Sequence, residues 1–531
     1  MMSINVSDRS SEVGVVRFAT STLPRRLTQL GAGDPSLQGG LGDQIGVHDA
    51  ALLYRESLHH QQAAPCPADP IIKPSRHVRS ISIRSAGAHR RTTSRTTAER
   101  LLAIPHSDYS TACTATNLIG VGIPYLARSA DKTAAEMLED HSAILIVGPR
   151  ATGKTTTSRR FAASEIRLGD PEAAQAFRAG PSAILTELPE PILVDEWQDV
   201  PASLQAIKTA VDTAPRRGRF IVTGSVRGDL DAITWPGTGR LVRLAMYGLT
   251  EREIEGRTNQ RSWLSRVLAG DTPSRHRSSE TVRDYVDRAL RSGFPEPALM
   301  TTERGRSRWL TSYVDQLVTR DAQTVSPGRD PQRLRAYLTA LALNSAGVVD
   351  DTTLWTAAGI AKDTARAYDQ LLQNLLVVDG LPAWTSNRLK RLTLAPKRYL
   401  VDPGLFTGIL AVSPQEVLTH GNLLGRVIET FVVAQIRAET ALMALPPRLH
   451  HLRVSDGGHE IDLVIEVGAH RLVAIEIKTT ATPDPGDAKH LRWFRRSLPD
   501  NDVTTILLHT GSETVTFDDG TIATPISALW N

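Results

Sequence analysis

The chain has 531 residues, with 41% hydrophobic and 22% charged residues and a formal net charge of +4. That is room for about three or four domains of ordinary globular composition, and it sets aside fibrous and disulfide-framework classes. Two cysteines, Cys66 and Cys113, suit a reducing compartment. Apolar runs stay short of the roughly 18 residues that span a membrane, and the N-terminus lacks a signal pattern. The expectation is a cytoplasmic protein with no membrane partner.

In residues 1–115, Gly, Ser, Pro, Gln and His interrupt every apolar run. The charges between Lys73 and Arg100 are almost all basic, with Arg76, Arg79, Arg84, Arg90, Arg91 and Arg95. Such a segment buries too little apolar surface to offset the entropy of ordering. It reads as a disordered basic extension, with a nucleic-acid-binding arm as the alternative. Ordered pattern starts near Pro124-Tyr125-Leu126, and Lys132 to Glu139 is helix-like.

Residues 116–250 read as an α/β domain. Ala143-Ile144-Leu145-Ile146-Val147 is a short apolar run of the kind a buried parallel strand presents. It runs into Gly148-Pro149-Arg150-Ala151-Thr152-Gly153-Lys154-Thr155-Thr156, and Thr156 to Ser164 is helix-compatible. This strand, Gly-rich loop and helix satisfy the P-loop pattern. The loop N–H groups would cradle the phosphates of a nucleotide, Lys154 would add charge at the β- and γ-phosphates, and Thr155 would offer its hydroxyl to Mg²⁺. ATP is favoured because no guanine-reading Asn-Lys-x-Asp occurs.

A second apolar strand, Ile192-Leu193-Val194, ends in Asp195-Glu196. Asp195 would hold Mg²⁺ through water and Glu196 would act as the base. A third strand, Arg219 to Ser225, ends in small polar residues, and Thr223 or Ser225 would meet the γ-phosphate or its water. Arg240 is a candidate charge donor, acting within the chain or on a neighbouring subunit.

Residues 251–330 read as a helical lid with Tyr285, Leu290, Trp309, Tyr313 and Leu317 in its apolar pattern. Residues 331–398 read as a winged-helix-like domain. Leu354 to Leu376 is helix, turn at Gly359, helix, with Lys362, Thr364 and Arg366 where a recognition helix meets a major groove. Asn387-Arg388-Leu389-Lys390-Arg391 is a basic hairpin or wing. Lids and protein-contact domains share this outline.

In residues 399–531, Glu460 to Glu466 and Leu472 to Lys478 alternate with period two around Gly468-Ala469-His470. A turn centred on Ala469 puts Asp462 opposite Glu476, with Cβ atoms about 5 Å apart. Lys478 shares their face. Opposed carboxylates repel unless a cation joins them, and Asp with Glu-x-Lys is a pattern for metal-assisted hydrolysis. Glu429, on a helix predicted around Gly425 to Val432, would add a carboxylate. The alternative is a solvated surface hairpin.

These motifs together resemble a prokaryotic family of AAA-like P-loop ATPases with an uncharacterised C-terminal domain. Further landmarks are Thr223-Gly224-Ser225, Gly239-Arg240, Gly293-Phe294-Pro295-Glu296, Arg320-Asp321 and Lys397-Arg398-Tyr399 through Asp402-Pro403-Gly404-Leu405. The resemblance runs from about residue 120 to the end. It implies a P-loop ATPase core, a helical lid, a winged helix and a restriction-endonuclease-like terminal domain. The functional expectation is a Mg²⁺-dependent ATPase acting as a switch or motor on DNA or a protein partner, with a homo-oligomer allowed. An ATP-gated nuclease and a nucleotide-controlled signalling adaptor are the alternatives.

Overall fold

Five parallel strands build the sheet that carries the nucleotide motifs. They are β1 (Ala143–Val147), β2 (Ser164–Arg167), β3 (Ile192–Asp195), β4 (Phe220–Gly224) and β5 (Leu241–Ala245), in the order β2-β3-β4-β1-β5. The computed structural model describes residues 125–225, 238–271, 275–326, 328–387, 391, 394–454 and 458–531. The expected basic extension, residues 1–115, lies outside the described residues, as do Arg388, Leu389 and Lys390 of the expected wing.

β1, β3 and β4 are buried along their whole length because both faces of the sheet are covered. Leu145, Val194 and Val222 pack on one side with Trp197, Leu204 and Ile207. Ile144, Ile146, Leu193 and Ile221 pack on the other with Ala130 and Ala134 of the helix Ser129–Asp140. The helix after the loop is shorter than expected, Lys154–Arg159, and Ser164 belongs to β2 instead. Ser164–Arg167 forms a sheet edge, where pairing to β3 replaces the apolar run that would have marked it as a strand.

The region after the sheet is helical, and the helix Glu303–Gln316 continues into a π-helical turn, Leu317–Asp321. Helices Pro331–Leu343, Asp351–Ala357 and Lys362–Asn374 follow, with Gly359 at φ +63° between the last two. An antiparallel pair closes this part, β6 (Val378–Leu381) with β7 (Lys397–Leu400). β7 spans the expected domain boundary at 398/399.

A six-stranded mixed sheet ends the chain: β8 (Arg448–Arg453), β9 (Glu460–Val467), β10 (Arg471–Ile477), β11 (Asp502–His509), β12 (Val515–Thr516) and β13 (Ile522–Pro525). Its order is β12-β13-β11-β10-β9-β8. The β9–β10 register pairs Leu472 with Glu466 and Ile475 with Leu463, which sets Asp462 opposite Glu476 as the turn at 468–470 predicts. The long helix Gly421–Thr440 covers one face through Val427, Ile428 and Phe431. Leu491 and Phe494 of the helix Lys489–Arg496 cover the other. One core cluster runs without interruption from Trp263 through Phe294, Leu338, Leu371 and Phe431 to Trp530. The helical segments and the C-terminal sheet are therefore packed as one body.

Candidate nucleotide site and C-terminal carboxylate cluster

The loop after β1 turns through two left-handed residues, Ala151 (φ +62°) and Gly153 (φ +90°). Gly153 stands immediately before the helix Lys154–Arg159, where its missing Cβ makes that conformation accessible. Gly148 is required for a different reason. A Cβ there would fall 1.9 Å from the Met246 carbonyl oxygen, so the loop passes against the chain leaving β5 with no room for a side chain.

Lys154 is buried and donates to the carbonyls of Gly148 (3.0 Å) and Pro149 (2.8 Å). Burial pushes its ammonium down to about 8, against the pull of Glu196 and Asp195. Thr152 Oγ1 donates to the Pro149 carbonyl (2.9 Å), and Arg128 donates to the Thr152 carbonyl (2.9 Å), which fixes the loop from inside and behind.

β4 lies between β1 and β3, so its C-terminal end sits between the P-loop and the acidic strand end. That order explains the role of Thr223. The Asp195 Oδ1 atom accepts from Thr155 Oγ1 (2.7 Å) and from Thr223 Oγ1 (2.5 Å), while the Glu196 N–H donates to Thr223 Oγ1 (3.2 Å). Glu196 is held at φ +56°, a left-handed conformation costly for a non-glycine residue. Its carboxylate accepts from Ser225 Oγ (3.1 Å) and from the Gln198 side chain. Thr155, Asp195, Glu196, Thr223 and Ser225 thus form one connected cluster beside Lys154. The residues fit a hydrated divalent ion: the Thr155 hydroxyl and the Asp195 carboxylate adjoin at the loop mouth, with a second carboxylate next in sequence.

Arg240 does not join this cluster within its own chain. Leu241 is in register with Ala143 at the start of β1, whereas the P-loop leaves the far end at Val147, beside Ala245. Arg240 therefore stands at the opposite edge of the sheet, 43% exposed and paired with Asp212 at 2.7 Å. A role at the P-loop of its own chain does not fit this placement. Arg150 of the loop instead meets Asp321 at 2.7 Å, at the end of the π-helical turn. Burial raises the Asp321 carboxyl, and Arg150 and Arg320 counter it. The Arg320-Asp321 landmark thus marks a contact between the P-loop and the helical region.

Lys362 and Arg366 are exposed and Thr364 half-buried at the start of their helix, as a surface-facing role requires. Arg391 is not free to act as a wing cation. It pairs with Glu466 at 2.5 Å and donates to the Thr385 carbonyl.

The C-terminal cluster gathers Glu429, Asp462, Glu476 and Lys478, together with two residues that reasoning on chemistry missed. Lys397 and Tyr399 alternate on β7, so both reach inward. Lys397 Nζ lies 2.7 Å from Glu429 and 3.1 Å from Asp462, and Tyr399 donates to Glu429 at 2.6 Å. Burial works against the Lys397 ammonium, but Glu429 and Asp462 outweigh it and hold its pKa well above the usual value. Burial, then Asp462, pushes Glu429 up to about 7, and the same two causes raise Glu476. Lys478 pairs with Glu476 at 2.7 Å, and the Ile477 N–H donates to Asp462 at 2.9 Å. As arranged, the cluster does not fit a divalent ion, because an ammonium group lies between its carboxylates. The signal for Lys397 was its two-residue spacing from Tyr399 on a strand.

A AAA domain model matches residues 140–255. Two domains of unknown function match beyond it, DUF8612 over residues 282–416 and DUF4143 over residues 424–529. Uncharacterized proteins of Mycobacterium tuberculosis and Mycobacterium bovis are each 27% identical over 391 residues, spanning 73% of this chain and 80% of theirs. Among solved structures, a Walker-type ATPase of Pyrococcus abyssi aligns at 13% identity and a TM-score of 0.34, covering 54% of this chain and 96% of that one. AMPPCP-bound DnaA from Aquifex aeolicus aligns at 15% identity and a TM-score of 0.20, covering 46% and 86%. The P-loop and the acidic strand end both lie within residues 140–255, the segment that matches the AAA domain model, and the DUF4143 match covers the C-terminal sheet.

Proposed function

We propose that the protein is a Mg²⁺-dependent ATPase whose turnover switches a C-terminal region that binds DNA. The observation that carries the reading is the Thr155–Asp195–Thr223–Glu196 relay, in which one carboxylate oxygen accepts from both the P-loop helix and the strand beside it. Lys154, released from the loop carbonyls, binds the β- and γ-phosphates. Thr155 and Asp195 would hold Mg²⁺, which when bound would neutralise charge on the transferring phosphoryl group. Glu196 accepts a proton from the attacking water, and Thr223 and Ser225 fix where its carboxylate points.

Two links support coupling to the rest of the chain. Arg150 ties the P-loop to Asp321, and the Glu251 N–H donates to Gln435 on the long C-terminal helix at 2.8 Å. DNA is the proposed partner because Lys362 and Arg366 stand exposed at a helix start behind a short turn. Arg240 is proposed to act on a neighbouring copy in a homo-oligomer. The nuclease alternative is disfavoured by the position of Lys397.

Phosphate release measured with and without duplex DNA tests the reading. Stimulation that Lys362→Ala/Arg366→Ala reduces supports it. Turnover indifferent to DNA, with nucleotide-dependent capture of a protein, would replace the DNA switch by a signalling adaptor.

A further inference from the structure

The carboxylate cluster of the C-terminal domain already holds a cation. Lys397 is 1% exposed, and its ammonium lies 2.7 Å from Glu429, 3.1 Å from Asp462 and 3.5 Å from Glu460. These are ion-pair distances to side chains from two separate segments, the long helix and β9. The lysine itself comes from a third, β7. Its stem is as buried as its head.

A second observation concerns Glu476. It is 4% exposed, it faces Asp462 across the β9–β10 pair, and its Oε2 atom is buried with no hydrogen-bond partner among the described residues. Its other oxygen is taken by Lys478. A divalent ion needs several oxygens converging at about 2.0–2.6 Å. Among the described residues no three His, Cys, Asp or Glu side chains converge in that way. The oxygens that would do so are spread around Lys397.

We infer that Lys397 is the resident cation of this cluster and stands where a divalent metal would have to bind. The domain keeps the carboxylate frame of a hydrolytic metal site but uses it as a joint. One ammonium pins β7, the helix Gly421–Thr440 and the β9–β10 hairpin together. Removing that ammonium takes away the cation that Glu429, Asp462 and Glu460 share. The inference stands apart from the ATPase reading, since neither Lys154 nor Asp195 enters it.

The test is Mn²⁺ binding by the full chain without nucleotide, titrated by calorimetry, for wild type, Asp462→Asn, Lys397→Ala and Lys397→Ala/Asp462→Asn. Wild type and Asp462→Asn bind Mn²⁺ alike. Lys397→Ala gains a site on the order of tenfold tighter or more, and the double variant loses it, as expected when ligand oxygens are freed and then removed. Mn²⁺ also raises the melting temperature of Lys397→Ala but not of wild type. Wild-type Mn²⁺ binding that Asp462→Asn weakens tenfold would overturn the inference, and so would a folded Lys397→Ala that gains nothing. Should Lys397→Ala fail to fold, the wild-type and Asp462→Asn titrations still decide.

Discussion

Replacing Thr223 by valine keeps the shape of a fully buried side chain and removes only its hydroxyl. That hydroxyl donates to Asp195 at 2.5 Å and accepts from the Glu196 N–H at 3.2 Å. A hydrogen bond to a charged group contributes roughly 1.5–3 kcal/mol, and a buried N–H left without a partner costs about 1–3 kcal/mol. Both losses fall on the two carboxylates that hold the ion and activate the water, not on the groups that grip phosphate. If roughly half of that energy is expressed in the transition state, kcat falls about ten- to a hundredfold at roughly 1.4 kcal/mol per decade. Affinity for a fluorescent ATP analogue, set by the P-loop and Lys154, changes less than about threefold, since uniform binding is untouched. Steady-state phosphate release and analogue titration on the same preparation measure the two quantities. A kcat within twofold of wild type would refute the relay, and so would equal losses in affinity and turnover.

Gly148→Ala sets a Cβ against the Met246 carbonyl oxygen and is expected to cost roughly 1–3 kcal/mol in thermal unfolding, as overpacking does, and to remove nucleotide binding. Normal analogue binding by a stable variant would contradict that close approach. Asp402 is buried and accepts from the Gly293 and Gly404 N–H groups, and burial outweighs these bonds to push its carboxyl up to about 6. A carboxyl raised on folding binds its proton more tightly in the folded state, so this group's contribution is present below pH 4 and lost as pH rises to about 6. Wild type should lose on the order of 3 kcal/mol relative to Asp402→Asn across that window, read by denaturant titration at each pH. Parallel pH profiles would sink the assignment. Arg240→Ala should leave turnover unchanged in dilute, monomeric protein and lower it at concentrations where the protein associates, measured by phosphate release alongside light scattering. A loss in the monomer would place Arg240 at its own P-loop.

The placement of the P-loop and of Asp195-Glu196 was legible because each signal is local. The loop follows its strand directly, and Asp195-Glu196 ends a run of apolar residues. The Asp462–Glu476 pairing was legible for a related reason, since a short turn fixes the register of a hairpin. What escaped depends on contacts distant in sequence. β2 has no apolar run and is a strand only because β3 pairs with it. Thr223 gains its role from the insertion of β4 between β1 and β3, which no local pattern announces. Arg150 meets Asp321 across 171 positions, and Lys397 meets Asp462 across 65. The place of Arg240 was left open between its own chain and a neighbouring one, because a motif position says nothing about which end of the sheet it occupies.

Phosphate release from ATP by the purified full chain, with Mg²⁺ and with chelator, for wild type and Lys154→Ala, tests the central claim most directly. The account predicts Mg²⁺-dependent release by wild type and its loss in a folded Lys154→Ala. Release that persists unchanged in Lys154→Ala would contradict it, as would wild type that hydrolyses nothing in the presence or absence of DNA.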